Sequence, residues 1–83
     1  MTKQEFEKKF KAGNFNIGEY IVVTDDITDE PLVIGCAHHQ GKWKVFETFE
    51  RGGHYIIEET DNEDKAFDLL YELIVSMHKS YSN

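Results

Sequence analysis

The chain has one cysteine, Cys36, one proline, Pro31, and no apolar run approaching the length of a membrane span. A single thiol excludes an internal disulfide and suits a reducing compartment. A transmembrane helix needs about 20 consecutive apolar residues, and the opening MTKQEFEKKF has no apolar stretch of signal-peptide length. The expectation is a soluble, cytoplasmic protein. Cations are scarce where they would be needed to hold a polyanion. Between Ala12 and Asp64 only Lys42, Lys44 and Arg51 oppose twelve carboxylates, so that segment is formally −9 within a chain of net −7. Phosphate binding is driven by Lys and Arg displacing counterions, and anionic membrane surfaces attract the same residues. Direct binding to nucleic acid or membrane is therefore disfavoured, and a basic partner is favoured.

The 83 residues predict a single domain, 1–83, with one small core. Hydrophobic residues at 40% and aromatics at 13% are ordinary for a folded chain. Low-complexity runs, repeats and an interdomain linker are all lacking. The positive charge sits in Met1 to Lys11, where Lys3, Lys8, Lys9 and Lys11 outnumber Glu5 and Glu7.

That stretch reads as a short helix from Thr2 to Lys11. Thr2 followed by Glu5 forms a capping box, and Phe6 with Phe10 shares a face that could dock on a sheet. Gly13 is the expected left-handed cap. Four strands follow: Tyr20 to Thr24, Leu32 to Ala37 with an extension towards His39, Lys42 to Phe49, and His54 to Thr60. In the third, Trp43, Val45, Glu47 and Phe49 point one way, and Lys44, Phe46 and Thr48 the other. Asp25 to Pro31 reads as a solvated hairpin tip. Connections this short predict antiparallel neighbours, hence a meander. Ala66, Leu69, Leu70, Leu73, Ile74 and Met77 lie at helical spacing between Glu63 and Lys79, with Phe67 and Tyr71 flanking. The fold class predicted is α+β: a four-stranded antiparallel meander with a short N-terminal and a longer C-terminal helix on one face, in the order α-β-β-β-β-α. The other face would meet water and could serve as a binding surface, or pair with a second copy in a homodimer.

Residues able to carry chemistry are few. Cys36, His38 and His39 resemble half a zinc site, which His54 could extend. On a strand, however, His39 points away from Cys36 and His38, and no second ligand pair accompanies them. Cys36 as a nucleophile would need a depressed thiol pKa, and net negative surroundings oppose that. Glu47, Glu50, Glu58 and Glu59 include carboxylates that share a sheet face, yet nothing in the pattern buries one of them for acid–base work. Asp25-Asp26-Ile27-Thr28-Asp29-Glu30 is dense in acid but lacks the central glycine and terminal glutamate of an EF-hand. Arg51-Gly52-Gly53 lacks the lysine and hydroxyl of a phosphate loop. No cofactor, metal or catalytic set is expected.

In its start Gln4-Glu5-Phe6-Glu7-Lys8-Lys9-Phe10, its Gly18-Glu19-Tyr20 opening of the first strand and its acidic α+β body, the chain resembles small immunity proteins of bacterial polymorphic toxin systems. The resemblance implies inhibition of a cognate basic toxin, often a nuclease, by protein–protein binding. The carboxylates expected to meet such a partner are Asp25, Asp26, Asp29, Glu30, Glu47, Glu50 and Glu58. A phage or mobile-element inhibitor that mimics DNA phosphates would use the same groups. A small metal-binding module or Cys/His-dependent enzyme is the third reading.

Overall fold

A computed structural model describes residues 1–81. It shows an α+β fold in the order α1 (Lys3–Gly13), β1 (Ile21–Val23), β2 (Val33–His39), β3 (Lys42–Thr48), β4 (His54–Thr60), α2 (Glu63–Tyr81). No helix among the described residues is long and apolar enough to cross a membrane.

The start of α1 follows from its sequence. The Glu5 amide donates to the Thr2 hydroxyl at 3.2 Å and the Thr2 amide donates to Glu5 Oε1 at 2.8 Å. Two amides without helical partners are thus satisfied reciprocally. The helix end differs from expectation. The left-handed residue is Asn14 (φ 49, ψ 50), not Gly13. Asn tolerates that conformation because its short polar side chain can bond locally. Gly13 is constrained by space instead, since a Cβ there would lie 2.4 Å from the Phe15 ring.

Helix α2 begins at a cap in which Asn62 Oδ1 accepts the Lys65 amide at 3.1 Å. Its fully buried residues are Ala66, Phe67, Leu70 and Ile74. Phe67 therefore occupies the middle of the apolar stripe, where the spacing argument placed it at the flank. It packs on Phe6 of α1 at 5.5 Å and on Trp43 of β3 at 5.5 Å between ring centroids. Phe6 packs against Phe67 and Tyr71 of α2 within the core cluster that also holds Ile34, Cys36 and Val45 of the sheet, and Phe10 stacks between Phe6 and Phe15.

The sheet order is β1-β2-β3-β4, with β2–β3 and β3–β4 antiparallel. The expected all-antiparallel meander is corrected at its first step. β1 runs parallel to β2, pairing Ile21 with Val33 and Val23 with Gly35. Parallel strands need a connection that travels back along the sheet, and residues 24–32 supply it. They form no hairpin tip. The segment crosses the sheet face opposite α2 as a strap. Midway along it, Ile27 packs on the cluster of Val33, Ala37 and Phe46, which are 2%, 1% and 0% exposed. The centre of the second face is accordingly covered, not open to water.

The strap is fastened at both ends. Near β1, Lys3 Nζ pairs with Asp25 at 2.9 Å and the Thr24 hydroxyl donates to Glu7 at 3.2 Å. At its return, the Gly53 amide donates to the Asp29 carbonyl at 2.8 Å and His54 Nδ1 meets Asp29 Oδ1 at 2.6 Å.

Thr48, only 1% exposed, closes the start of the β2–β3 pairing with its side chain. Its hydroxyl accepts the Val33 amide at 2.8 Å and donates to the Val33 carbonyl at 3.3 Å. Thr48→Val keeps the shape and removes both bonds, leaving a buried donor and acceptor unpaired. The expected loss is about 1–3 kcal/mol, read as a lower urea midpoint with an unchanged denaturant slope.

Between Val45 and Phe46 the β3–β4 register shifts by a bulge, because Val45 faces Glu58 while Phe46 faces Ile56. The extra residue, Ile57, joins the core under α2. The bulge turns Glu58 to the α2 side and leaves Glu59 on the strap side, where it pairs with Lys44 at 3.4 Å.

Candidate binding surface

At the end of the sheet where β2 and β4 begin and β3 finishes, the chain places four rings beside three carboxylates. Tyr20 precedes β1, Phe49 and Glu50 follow β3, Tyr55 lies near the start of β4, and Tyr81 ends α2. Phe49, Tyr55 and Tyr81 are 54%, 39% and 50% exposed. Phe49 and Tyr55 lie 4.8 Å apart, ring to ring. Aromatic residues left exposed beside one another mark recognition surfaces more often than single exposed apolar residues do.

A groove of about 330 Å³ opens between this sheet end and the last turns of α2. Its floor is Ile34, 1% exposed, and its walls include Tyr20, Leu73, Met77 and Tyr81. Glu47 lies inside it, half-buried. The Tyr20 hydroxyl donates to Glu47 Oε2 at 3.3 Å. Burial raises the ionisation of Tyr20 above the ordinary phenol value, and the Glu47 charge raises it further. Tyr55, directly opposite Glu47 on β4, is raised by the same two causes in the same order. Glu47 makes no ion pair with a lysine, arginine or histidine among the described residues. A partly desolvated carboxylate with only phenol donors retains capacity for a cation.

Tyr81 also borders a second hollow with Gly18, Glu19, Tyr20, Leu32 and Glu50. The backbone of Gly18 has φ +65, and a Cβ there would sit 2.8 Å from the Tyr81 ring. Gly18 thus lets the ring lie against the chain and frame both hollows.

The phenols give a direct check on Glu47. In Glu47→Gln, Tyr20 should ionise at lower pH than in the wild type but still above free tyrosine, because burial remains. Ultraviolet titration of the wild type and the variant measures this. No change in the tyrosine titration would show that Glu47 is not charged beside Tyr20.

The seven carboxylates expected to contact a partner do not form one patch. Asp25 is held by Lys3 and Asp29 by His54, so both fasten the strap. Asp26 and Glu30 are exposed on the same strap and make no ion pair among the described residues. Glu47 and Glu50 stand at the aromatic end. Glu58 lies apart, in a hollow along α2 with Asp64, Lys65, Asp68 and Glu72. Elsewhere Lys42 meets Asp61 at 3.2 Å, and the Met1 amine meets Asp64 and Asp68. The carboxylates without ion pairs include Glu19, Glu47 and Glu50, all from the aromatic end. Sequence reading missed Tyr20, Leu73, Met77 and Tyr81 as one site, since they come from distant segments. The Gly18-Glu19-Tyr20 triplet was its only local trace.

The fold separates the thiol and imidazoles. Cys36 is fully buried under α2, and burial pushes its thiol up to about 12, with the Glu63 charge adding to it. A thiol in that range is protonated at neutral pH and is a poor nucleophile. His38 packs on Trp43 at 4.8 Å, His39 is exposed on the opposite face, and His54 is engaged with Asp29. Among the described residues no three His, Cys, Asp or Glu side chains are grouped to hold a metal.

Comparison with family models, with curated proteins and with solved structures returns no match.

Proposed function

We propose that this chain is a non-catalytic inhibitor, an immunity-type protein that neutralises a basic protein toxin by binding it. The observation that carries the reading is the aromatic end of the sheet, where exposed rings adjoin Glu19, Glu47 and Glu50 and none of the three makes an ion pair among the described residues. Rings supply apolar area at low entropic cost, and carboxylates without ion pairs accelerate encounter with a cationic surface. Asp26 and Glu30 on the strap extend the same negative field, while Asp25 and Asp29 keep the strap in place. Glu58 serves a separate acidic hollow and is peripheral to the contact.

The charge disposition argues against a DNA mimic. A mimic needs carboxylates spaced along a duplex-like track, whereas here several are consumed by Lys3, Lys42, Lys44 and the N-terminal amine. The buried thiol gives no support to a cysteine enzyme.

Co-expression with a basic toxin, sought first among the products of the neighbouring genes, tests the proposal. The wild-type chain should restore growth, and Glu47→Lys with Glu50→Lys should not, while its circular dichroism stays native. Growth arrest in the presence of the wild-type chain, or full rescue by the double variant, would contradict it.

A further inference from the structure

We infer that the groove between β3 and the end of α2 receives one arginine side chain of a basic protein partner, with its guanidinium on Glu47. The inference rests on the inhibitor reading for the identity of the partner, but the groove can be tested without that partner. Three observations converge on this occupant.

The first is size. Clefts for small ligands run from about 300 to 1,000 Å³, and this one, at about 330 Å³, is at the bottom of that range. It suits a single side chain better than a cofactor. The second is chemistry. The walls are largely apolar and aromatic, from Ile34, Leu73, Met77, Tyr20 and Tyr81, with Ser76 and Ser80 adding hydroxyls, and the one charged group among the described lining residues is Glu47. A largely apolar slot with one carboxylate complements a long aliphatic stem that ends in a cation. Guanidinium is planar, stacks on phenol rings and sheds water more readily than ammonium, so arginine fits this slot better than lysine. The third is the helix. Met77, Ser80 and Tyr81 of the last turn line the groove, and the C-terminal end of a helix carries partial negative charge. The basic residues of that turn do not occupy the slot. Neither His78 nor Lys79 is among its lining residues, and His78 Nδ1 instead accepts the Asn16 amide at 2.8 Å.

Binding needs no covalent step. Glu47 exchanges a share of its bond with the Tyr20 hydroxyl for charge-assisted bonds from the guanidinium, and Tyr81 closes over the stem.

Nuclear magnetic resonance titration with the blocked tripeptide Gly-Arg-Gly tests the groove, with Gly-citrulline-Gly as the uncharged isostere and Gly-Lys-Gly as the ammonium control. The arginine peptide should produce saturable shifts centred on Tyr20, Glu47, Leu73, Met77 and Tyr81, with a dissociation constant on the order of a millimolar. Citrulline should produce none. Glu47→Gln should weaken binding about tenfold or more, the loss expected of one charge-assisted contact. Glu58→Gln should leave it unchanged. Because Tyr81 is half-exposed, Tyr81→Ala should fold and still weaken binding, so the test does not hang on one variant. Shifts scattered over the strap or over the Glu58 hollow, or equal binding by citrulline, would overturn the site. Equal binding of the lysine peptide would overturn the choice of guanidinium. Arginine binding without growth rescue would leave the groove standing and sink the inhibitor reading, and rescue without arginine binding would do the reverse.

Discussion

Gly35→Ala is expected to be among the most damaging single substitutions in this chain, although it adds one methyl group. Gly35 lies in β2 opposite Val23 of β1. A Cβ at that position would lie 2.0 Å from the Val23 carbonyl oxygen and 3.2 Å from the Phe46 ring. The obstacle is backbone, which cannot rotate aside as a side-chain tip can. Either β1 leaves β2 or β2 bends away from β3. Overpacking of a tight interior costs about 1–3 kcal/mol and sometimes more. Here the upper end applies, because moving β1 also pulls the strap off Ala37 and Phe46. The expected loss is therefore about 3 kcal/mol or more. For a domain of this size each kcal/mol is worth about 4–8 °C in melting temperature. Scanning calorimetry measures the shift, and hydrogen exchange should show protection lost first in β1. A variant that melts like the wild type would show that β1 and β2 are farther apart than the parallel pairing requires.

Phe67→Ala should cost about 3–5 kcal/mol. Phe67 is fully buried and joins three elements, with Phe6 of α1 on one side and Trp43 of β3 on the other. Truncation removes a large apolar transfer term and opens a cavity that α1, α2 and the sheet would have to close together. Several such losses would exceed the whole stability of a small domain. Leu69→Ala, at the partly buried edge of the same helix, should cost distinctly less. Urea unfolding of the two variants separates a core centred on Phe67 from one centred on the Leu69 side. Equal losses would contradict the helix orientation described above.

Much of this architecture is legible in the sequence. The capping pair Thr2 and Glu5, the alternation of Trp43 and Val45 against Phe46, and the spacing of Ala66, Leu70 and Ile74 each report a local rule. Those rules hold because burial on one face fixes the period. The parallel pairing of β1 was hidden for a physical reason. A run such as Asp25 to Pro31 looks like a polar turn, and a single Ile27 carries too little periodicity to reveal that it covers a second small core. The resulting strap also explains why Asp25 and Asp29 are structural: each carboxylate has a partner that tethers the segment. Parity did put Cys36 and His39 on opposite faces of the strand, but not which of those faces α2 covers. The groove could not be read in advance. Its walls come from Tyr20, Ile34, Glu47, Leu73 and Tyr81, and only the β1–β2 pairing and the length of α2 bring them to one end.

The same distinction separates fastening charges from available ones. Lys3, Lys42 and Lys44 neutralise acids on the strap, near the α2 start and on β4. These three lysines are spent away from Glu47, and although Arg51 follows Glu50 in the β3–β4 turn, neither Glu47 nor Glu50 makes an ion pair among the described residues. A one-sign field on a surface that also offers aromatic area steers and then holds a cationic protein.

The most direct measurement is the affinity of the purified chain for a basic toxin of the kind proposed, taken at low and high salt for the wild type and for Glu47→Gln with Glu50→Gln. The wild type should bind more weakly as salt rises. The double variant should bind at least about tenfold more weakly at low salt, with a shallower salt dependence. Affinity that survives removal of both carboxylates, or that ignores salt, would contradict a charged aromatic end as the binding surface.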